Sequence, residues 1–497
     1  MILGIDLGTT YSVSAYVDEG GNPQIIRNSE GKTITPSVVL FDSDNSIIVG
    51  DIAKENAVIN SQNVVSTVKN HMGKKIVLKE VGNKRYTPEM ISSFVLRKII
   101  QDSASVLEEE IEGVVITVPA YFTDSQRKAT EDAVAMAGVT LMGMINEPTA
   151  AALCYVNRHA VSNENILIYD LGGGTFDVTV LHIEDEKNIR VLSTGGLSNA
   201  GGRFFDQYIV DYVIDYIQEK HDIDLEDDEY TDELQELYKK AETAKMQLSS
   251  RNVTNIVLKI GKVKEQIEIT KELFENMISK LYMRTENKVK EAIQASGLLT
   301  ANIDKILLVG GSSRIPYIVD SIKLFFGKEP SKEVNPDEAV AMGAALYAQM
   351  IISKTQNTIF TDVCSHSIGV VVTNDNGQKE NEVIIKRNSQ IPISREQRFR
   401  TEIANQKIIC LTITEGEYKE ITDVTIIGEY DIALPSGAPE NALILLKVSL
   451  DKHQLIHIQI ELPEINFMQE YHMKRNANMD EETVKSIAGI LRDYTVS

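Results

Sequence analysis

The chain has 497 residues, more than one hydrophobic core usually serves, so we expect two or more domains. Its 43% hydrophobic content is ordinary for a globular protein. The net charge is −22, from 72 acidic and 50 basic residues. Because such a charge repels phosphate backbones and anionic lipids, it argues against binding to nucleic acid or to a membrane surface, although it also serves solubility alone.

Cysteine usage and the N-terminal sequence bear on the compartment. The three cysteines lie far apart and make no CxxC pair, which argues against a zinc site or a disulfide framework and favours a reducing compartment. Asp6 interrupts the apolar run at the N-terminus, so no signal peptide is predicted. The longest apolar stretches contain glycine and are too short to span a membrane. We therefore predict a cytoplasmic protein.

The pattern of apolar residues divides the chain. Residues 1–353 alternate short strands with longer helical patterns, typical of an α/β fold, and the predicted buried strands are Ile2–Ile5, Val114–Val118, Ile166–Tyr169 and Ile306–Val309. Residues 354–362 begin with a polar stretch, which predicts an interdomain linker. Residues 363–475 alternate short apolar runs with turns, which indicates antiparallel β-structure. Residues 476–497 contain one helical pattern, Asp480–Tyr494.

One motif occurs twice in the α/β region. The sequence IDLGTT at 5–10 recurs as YDLGGGT at 169–175, and each copy stands between two apolar strand patterns. This predicts two β-hairpins that carry Asp6 or Asp170 and free backbone N–H groups at their tips. Two facing hairpins could grip a polyphosphate, with the N–H groups on phosphate oxygens and the aspartates on the metal ion.

The sequence matches neither a P-loop nor a dinucleotide-binding glycine turn, the two other common phosphate sites. The sequence GKT at 31–33 matches the end of a P-loop, but Ile26 stands where that motif requires glycine. Gly201 and Gly202 are not part of a GxGxxG that opens a helix after the first strand, so a dinucleotide-binding turn is not predicted either.

A third glycine turn, LVGGSSRIP at 308–316, follows a predicted strand. Its glycines let a flat group lie against the backbone, and Arg314 could stack on an aromatic base. Asp337 lies close to a predicted helix start, and capping of that helix explains it better than ligand binding does. Glu242 and Lys245 lie three residues apart on the predicted helix Thr231–Leu248, where a surface ion pair is the simpler interpretation.

Two strand ends carry further candidate residues. In INEPTAAA, at 145–152, Glu147 starts a helix, where a carboxylate can orient water or merely complement the helix end. In VPAYF, at 118–122, another strand leads into a helix that contains Arg127.

Together these motifs resemble the DnaK-type heat-shock chaperone family. Six of them stand in the family's order: GIDLGTT, VPAYF, INEPTAAAL, YDLGGGTFDV, LVGGSSRIP and NPDEAVAMGAA. The resemblance runs from Ile2 to about Ile460, and the segments 359–367 and 384–394 are similar to a specialised bacterial branch, HscC. It implies an actin-like ATPase domain with duplicated lobes, an antiparallel β-sandwich and, at 476–497, a short helix that is a truncated lid.

The resemblance also implies ATP or ADP and Mg²⁺ as ligands, with K⁺ as a further candidate. Asp6 and Asp170 would hold the metal, largely through water. The catalytic candidates are Lys69 and Glu147, which would position the attacking water, with Asp177 and Thr175. The nucleotide-binding candidates are Gly8, Thr9, Thr10, Tyr11, Gly172, Gly173, Gly174, Gly201, Gly202, Glu242, Lys245, Ser249, Gly310, Gly311, Ser312, Arg314 and Asp337.

Coupling and peptide binding are implied in the same way. Pro119 and Arg127 would connect nucleotide state to the second domain. Unfolded or extended apolar peptides would be the main partners, with a J-domain co-chaperone and a nucleotide exchange factor beside them. The candidate peptide-pocket residues, for which ordinary sandwich core is the alternative, are Ile368, Val370, Phe399, Ile409, Leu411 and Leu455.

Departures from the family pattern lead to further expectations. The short stretch between Lys69 and Tyr86 predicts that a subdomain hairpin is missing. The linker sequence TIFTD at 358–362 is less apolar than usual and predicts weaker linker docking. Positions at which the residue type departs from the family are Tyr11, Gly143, Arg203, Phe204, Thr373 and Glu402. With a truncated lid, we expect rapid release of peptide.

Three functions were compared. An ATP-regulated chaperone accounts for both domains and for the retained hydrolytic residues. An ATP-binding adaptor with weak hydrolysis and one dedicated partner is the alternative, favoured by Arg203 and the truncated lid. A sugar kinase of the same superfamily fits poorly, because the chain shows no sugar pocket and continues into a β-domain.

Overall fold

The molecule consists of two α/β lobes, a β-rich part and a C-terminal helical segment. The computed structural model describes residues 1–43, 45–159, 163–185, 188–353, 359–374, 376–401, 403–451, 454–472 and 479–497. The predicted fold class, α/β lobes followed by a β-sandwich and a C-terminal helix, is confirmed. Among the described helices, none combines the length and the apolar character needed to cross a membrane.

Lobe I contains a sheet with the order β11-β10-β1-β2-β3. The parallel strands β11, β10 and β1 lead to the antiparallel hairpin β1–β2, and every residue of β10 is buried. The elements are β1 (Ile2–Asp6), β2 (Tyr11–Val17), β3 (Pro23–Ile25), β4 (Thr35–Pro36), β5 (Val39–Ser43), β6 (Ser46–Val49), α1 (Asp51–Asn56), β7 (Val64–Val65), β8 (Lys79–Val81), β9 (Lys84–Tyr86), α2 (Pro88–Leu107), β10 (Gly113–Val118), α3 (Asp124–Ala137), β11 (Thr140–Asn146) and α4 (Glu147–Arg158).

Lobe II repeats this plan in a sheet with the order β17-β12-β13-β14. Parallel β17 and β12 lead to the antiparallel hairpin β12–β13, so the two copies of the repeated motif occupy equivalent hairpins, as predicted. The elements are β12 (Glu164–Leu171), β13 (Phe176–Asp185), β14 (Asn188–Leu197), α5 (Gly202–His221), α6 (Thr231–Leu248), β15 (Val253–Ile260), β16 (Val263–Thr270), α7 (Lys271–Ala295), β17 (Lys305–Val309), α8 (Pro316–Phe326) and α9 (Ala339–Ser353).

Helix α9 lies between the two lobes and depends on small residues. A Cβ on Gly343 would overlap the backbone of Ala150 in α4, and one on Gly4 would overlap the backbone of Ala345. The sheet of lobe I and helices α4 and α9 therefore approach at backbone distance. This places the tips of both hairpins on either side of one cleft.

The β-rich part forms two four-stranded antiparallel sheets, β20-β19-β23-β24 and β22-β25-β26-β27. Their inward residues, among them Ile413, Val448 and Leu462, are fully buried. The elements are β18 (Ile359–Val363), β19 (Ile368–Thr373), β20 (Lys379–Ile385), β21 (Gln390–Ile391), β22 (Ile393–Arg400), β23 (Ile408–Glu415), β24 (Thr425–Ala433), β25 (Leu443–Leu450), β26 (Ile456–Leu462), β27 (Phe467–His472), α10 (Glu481–Leu491) and β28 (Thr495–Val496).

The described end of the predicted linker is a strand. Within the linker, residues 354–358 lie outside the described residues, and β18 pairs in parallel with β14 of lobe II and antiparallel with β21. Phe360 packs against the core between the lobes. The linker strand is therefore docked, and the weaker docking expected from its composition stays a prediction about strength.

The C-terminal segment packs on lobe I. Asp480 caps the N-terminus of helix α10, and its side chain accepts a hydrogen bond from Thr483 N at 2.7 Å. Val484, Leu491 and Tyr494 belong to the lobe I core, and β28 adds a parallel strand to the edge of β6. The segment that the sequence predicted as a truncated lid thus completes the core and a sheet of lobe I.

The hairpin expected to be missing between Lys69 and Tyr86 is present in short form. Strands β8 and β9 pair antiparallel over three residues each. The expectation of a missing hairpin was wrong, because two strands of three residues each form a hairpin within this short stretch.

Candidate functional site

A cleft of about 900 Å³ lies between the two lobes and is lined by residues of both repeated hairpins. Residues of both lobes line it, including all of the predicted nucleotide, metal and catalytic residues except Gly174, Gly201 and Asp177. The predicted residues that line it are Asp6, Gly8, Thr9, Thr10, Tyr11, Lys69, Glu147, Asp170, Gly172, Gly173, Thr175, Gly202, Glu242, Lys245, Ser249, Gly310, Gly311, Ser312, Arg314 and Asp337. Reasoning from sequence therefore brought together residues up to about 330 positions apart that share one cavity.

The tips of the two hairpins touch each other. A Cβ on Gly173 would overlap Thr10 Oγ1, and one on Gly174 would lie 2.9 Å from Thr9 Cγ2. Gly201 has φ of 150°, and a Cβ there would lie 2.7 Å from Gly172 O. Glycine is required at Gly173 and Gly174 because a Cβ there would overlap threonine side chains of the facing hairpin, and at Gly201 because a Cβ there would overlap the backbone of Gly172. Backbone N–H groups in turns of this kind can bind an anion.

Four buried carboxyl groups surround the floor of the cleft. Burial raises the pKa of Asp6 to about 6, with Glu147 adding to the shift, and burial raises the pKa of Asp177 to about 6. Burial and the neighbouring carboxylates raise the pKa of Asp170 well above its usual range. A cluster of four buried carboxyl groups fits a site in which a bound cation balances the negative charge.

The arrangement fits Mg²⁺ held together with a polyphosphate. Among the described residues, no group of three or more His, Cys, Asp or Glu side chains is placed to hold a metal ion by itself. Mg²⁺ typically keeps several waters and takes one or two carboxylates plus phosphate oxygens. Asp6 and Asp170 suit that role, and Asp6 is oriented by Thr117, whose hydroxyl donates to it at 2.8 Å.

Lys69 and Glu147 form a buried ion pair at the centre of the site. The Lys69 Nζ lies 2.5 Å from Glu147 Oε1, and both side chains are about nine-tenths buried. Burial alone would lower the pKa of Lys69, but the carboxylates of Glu147, Asp6 and Asp170 together raise it. Lys69 is therefore a fixed cation beside the carboxyl cluster.

Asp177 is held from the other lobe. Tyr121 N donates to Asp177 Oδ1 at 2.9 Å, immediately after the turn that follows β10. A carboxylate of lobe II is thereby attached to the strand exit of lobe I that contains Pro119. This contact joins the predicted catalytic and coupling residues.

The mouth of the cleft is closed by an ion pair between the lobes. Lys54 Nζ lies 2.7 Å from Glu242 Oε2 and donates to Tyr11 Oη at 2.8 Å. Lys245 pairs instead with Asp206 at 2.8 Å. The surface ion pair between Glu242 and Lys245 that the sequence left open is therefore wrong, because each has a partner in another element.

Lys54 and Asp206 were missed by the sequence reasoning. Burial raises the pKa of Asp206 to about 6 even with Lys245 beside it. Asp206 stands three residues after the noted Arg203, on the same face of α5, which is a signal that could have found it. Lys54 carries no local motif, and only the tertiary structure places it opposite Glu242.

The third glycine turn supplies the last wall. Ser312 Oγ donates to Gly172 O at 2.9 Å, which connects this turn to the second hairpin. Arg314 pairs with Asp337 at 2.7 Å and donates to Asn335 Oδ1 at 2.8 Å. The guanidinium lies at the cleft surface, half exposed, in a fixed orientation suited to stacking.

Arg127 stands at the junction with the β-sandwich. Its guanidinium is buried and donates to Asn146 Oδ1 at 2.8 Å and to Ala120 O at 3.2 Å. Asn146 in turn donates to Asp362 Oδ2 on β18 at 2.7 Å. A chain of three side chains thus runs from Arg127 through Asn146, the residue before Glu147, to Asp362 on the linker strand.

The sandwich itself contacts the same strand exit. Ser365 Oγ donates to Ala120 O, and a nitrogen of His366 lies 3.0 Å from Tyr121 O, with the two rings 4.1 Å apart. On the other side, Arg387 donates to Thr194 O at 2.6 Å. Pro119 lies in the turn that both catalytic and sandwich residues contact, since Phe122 N donates to its carbonyl at 3.1 Å.

The predicted peptide-pocket residues do not all lie together at a surface. Ile368, Val370 and Leu411 are buried in the sandwich core, which is the alternative that the sequence left open for them. Phe399 and Ile409 are partly buried and pack against that core, and Leu455 is half-buried. Of the two positions expected to arch over a peptide, Thr373 is exposed and residue 402 lies outside the described residues.

Comparison with known families agrees with this geometry. The model of the Hsp70 protein family matches residues 2–493, which is nearly the whole chain. Proteins of that family are chaperones with ATPase activity, and they bind ATP or ADP with Mg²⁺.

Proposed function

Because this chain belongs to the Hsp70 family, we propose that it hydrolyses ATP in the cleft between its lobes and uses the nucleotide cycle to control binding of extended apolar peptides to the β-sandwich. The observation that carries this proposal is the pair of facing glycine hairpins around a buried lysine–glutamate pair. Such an arrangement supplies what phosphoryl transfer needs, which is positioning and charge neutralisation.

Different residues of the cleft bind the phosphates, hold the metal ion and orient the attacking water. The hairpin N–H groups bind phosphate oxygens. Asp6 and Asp170 would hold a hydrated Mg²⁺, which would supply positive charge beside the phosphates. Lys69 and Glu147 orient the attacking water, with Glu147 held for this by the 2.5 Å ion pair. Asp177 and Thr175 complete the hydrogen-bonding network at the second hairpin.

The nucleoside binds toward the mouth of the cleft. Glu242 and Lys245 face the ribose, Arg314 stacks on the base, and the third glycine turn packs against its edge. The Lys54–Glu242 pair crosses this mouth, so nucleotide leaves only when the pair opens.

Coupling passes through the strand exit that contains Pro119. Asp177 contacts this turn from the catalytic side, while Arg127, through Asn146, reaches the linker strand at Asp362. A shift of the γ-phosphate environment therefore changes the surface on which the sandwich and the linker dock. The proposed domain division is 1–353, 354–362, 363–475 and 476–497, with a cytoplasmic location and a J-domain protein and an exchange factor as partners.

A dedicated-partner adaptor remains the second candidate. The observation that favours it is the buried position of Ile368, Val370 and Leu411, which leaves a smaller surface for peptide than the sequence suggested. Such a protein would bind ATP and hydrolyse it slowly.

The test follows a fluorescent apolar peptide by anisotropy in ADP and then adds ATP with magnesium, beside a phosphate-release assay. Release of bound peptide on ATP addition is the expected result. If the peptide never binds but ATP turnover is measurable, the adaptor with one dedicated partner becomes the better-supported function. Absence of both turnover and ATP binding would refute the ATPase assignment itself.

A further inference from the structure

Strand β22 is an edge strand with an unusual charge for this chain. Among the described strands it stands last in the sheet β22-β25-β26-β27, so alternate backbone N–H and C=O groups face away from β25. Its sequence, ISREQRFR, contains three arginines and one glutamate, while the whole chain has a net charge of −22. All three arginines are exposed.

The side chains of β22 alternate between two faces. Gln397 and Phe399 are partly buried, and Gln397 donates across the sandwich to Glu382 Oε1 at 2.6 Å, so these residues face the interior. Arg398 and Arg400 stand on the opposite face, directly before and after Phe399. A further strand that paired with this edge would place one residue beside Phe399 and its two neighbours beside the arginines.

We propose that the free edge of β22 binds an extended segment in which one apolar residue stands between two acidic residues. This inference rests on the proposed peptide binding and names the class of peptide that is bound. Main-chain hydrogen bonds to the edge give affinity, the apolar residue contacts Phe399, and the flanking carboxylates pair with Arg398 and Arg400.

The present partners of the two arginines leave them available. Arg398 Nε lies 3.5 Å from Glu396 Oε1, with side-chain exposures of 75% and 45%, and so exposed a pair is readily exchanged. Arg400 donates one hydrogen bond to Asn441 O at 2.8 Å, which orients a guanidinium that has five donors. Arg395, at the start of the strand, adds a third positive charge.

Charges on an edge strand also discourage pairing between copies of a protein, and this explanation makes a different prediction. If that is their only role, acidic peptides should gain nothing from the order of their residues. If the proposal is right, the alternation acidic–apolar–acidic is recognised, because only that order places both carboxylates on the arginine face.

The experiment uses the full-length protein and nine-residue fluorescent peptides that share a Gly/Ser frame. Their centres are Glu-Leu-Glu, Lys-Leu-Lys, Ser-Leu-Ser and the composition-matched Leu-Glu-Glu. Affinities are measured by anisotropy in ADP for the native chain and for a variant with Arg398→Gln and Arg400→Gln. The control variant, with Lys407→Gln and Lys419→Gln, removes two exposed charges elsewhere on the sandwich.

We expect Glu-Leu-Glu to bind roughly tenfold tighter than Ser-Leu-Ser, as two added cross-strand ion pairs allow, and roughly threefold tighter than Leu-Glu-Glu, which keeps one of the two pairs. Lys-Leu-Lys should bind more weakly than Ser-Leu-Ser, because its lysines would face the arginines. The arginine variant should lose this preference and still bind Ser-Leu-Ser, and the control variant should keep it. Equal binding of all charged peptides, or a preference that survives in the arginine variant, would overturn the inference while leaving peptide binding intact. Failure of every peptide to bind, Ser-Leu-Ser included, would overturn the proposed function together with the inference.

Discussion

Replacing Lys69 with alanine tests the role of the buried ion pair. The change leaves Glu147 beside Asp6 and Asp170 without the cation 2.5 Å away. Removing one partner of a buried pair typically costs about 3–5 kcal/mol in the free energy of unfolding. Loss of one preorganised group that stabilises the transition state typically lowers turnover by about 100- to 1,000-fold. The affinity for ATP should change much less, since the backbone N–H groups that bind the phosphates remain.

The assays are urea unfolding, single-turnover hydrolysis and equilibrium binding of ATP. The double variant Lys69→Ala with Glu147→Gln should recover much of the lost stability, because no unpaired charge stays buried, but it should not recover turnover. Lys288→Ala removes a lysine from an exposed i,i+3 pair with Glu291 and should alter stability by no more than about 0.5 kcal/mol. The assigned role would be refuted if Lys69→Ala kept normal turnover per bound ATP, or if its main defect were weaker ATP binding and not slower hydrolysis.

Three further predictions concern other parts of the molecule. Burial, with Asp124 adding to it, raises the pKa of Glu415 at the domain junction to about 8, so docking that needs the neutral acid should weaken as pH rises through 8. Glu415→Gln should remove that loss in an interdomain fluorescence assay, and an unchanged profile would contradict the assignment. Thr495→Pro removes the N–H that donates to Asn45 O at 2.9 Å and should destabilise lobe I by about 1–3 kcal/mol, seen as faster hydrogen exchange in β6. Gly173→Ala should weaken ATP binding at least about tenfold, because its Cβ overlaps the facing hairpin, whereas Gly489→Ala, where a Cβ meets nothing, should not.

Local patterns predicted the local structure well. The four buried strands, the two hairpins and the helix Thr231–Leu248 were confirmed, because apolar periodicity and glycine turns act over a few residues. Most of the nucleotide-binding candidates line one cleft. They were assigned from the family resemblance, and many of the motifs that carry it stand at strand ends, which meet at a common edge.

What sequence reasoning missed depends on contacts between distant elements. Lys54 has no motif of its own, and its importance comes from Glu242 on a helix of the other lobe. In the β-sandwich, alternation tells which residues point inward, but it cannot separate a peptide pocket from ordinary core, so Ile368 and Val370 were assigned to both. The C-terminal helix was predicted, whereas its docking surface on lobe I could be learned only from the structure.

The attachment of the C-terminal segment affects how the protein is made. Tyr86 and Tyr494 share a buried hydrogen bond at 2.9 Å although 408 residues separate them. At about 5–20 residues per second, a ribosome needs roughly 20 to 80 s to synthesise the residues between them. During this interval the C-terminal segment does not yet cover the face of lobe I around Tyr86 and Phe94. The first lobe to be synthesised is therefore among the last to be finished, and a nascent chain of this chaperone relative exposes, for that interval, an aromatic surface of the kind that chaperones bind.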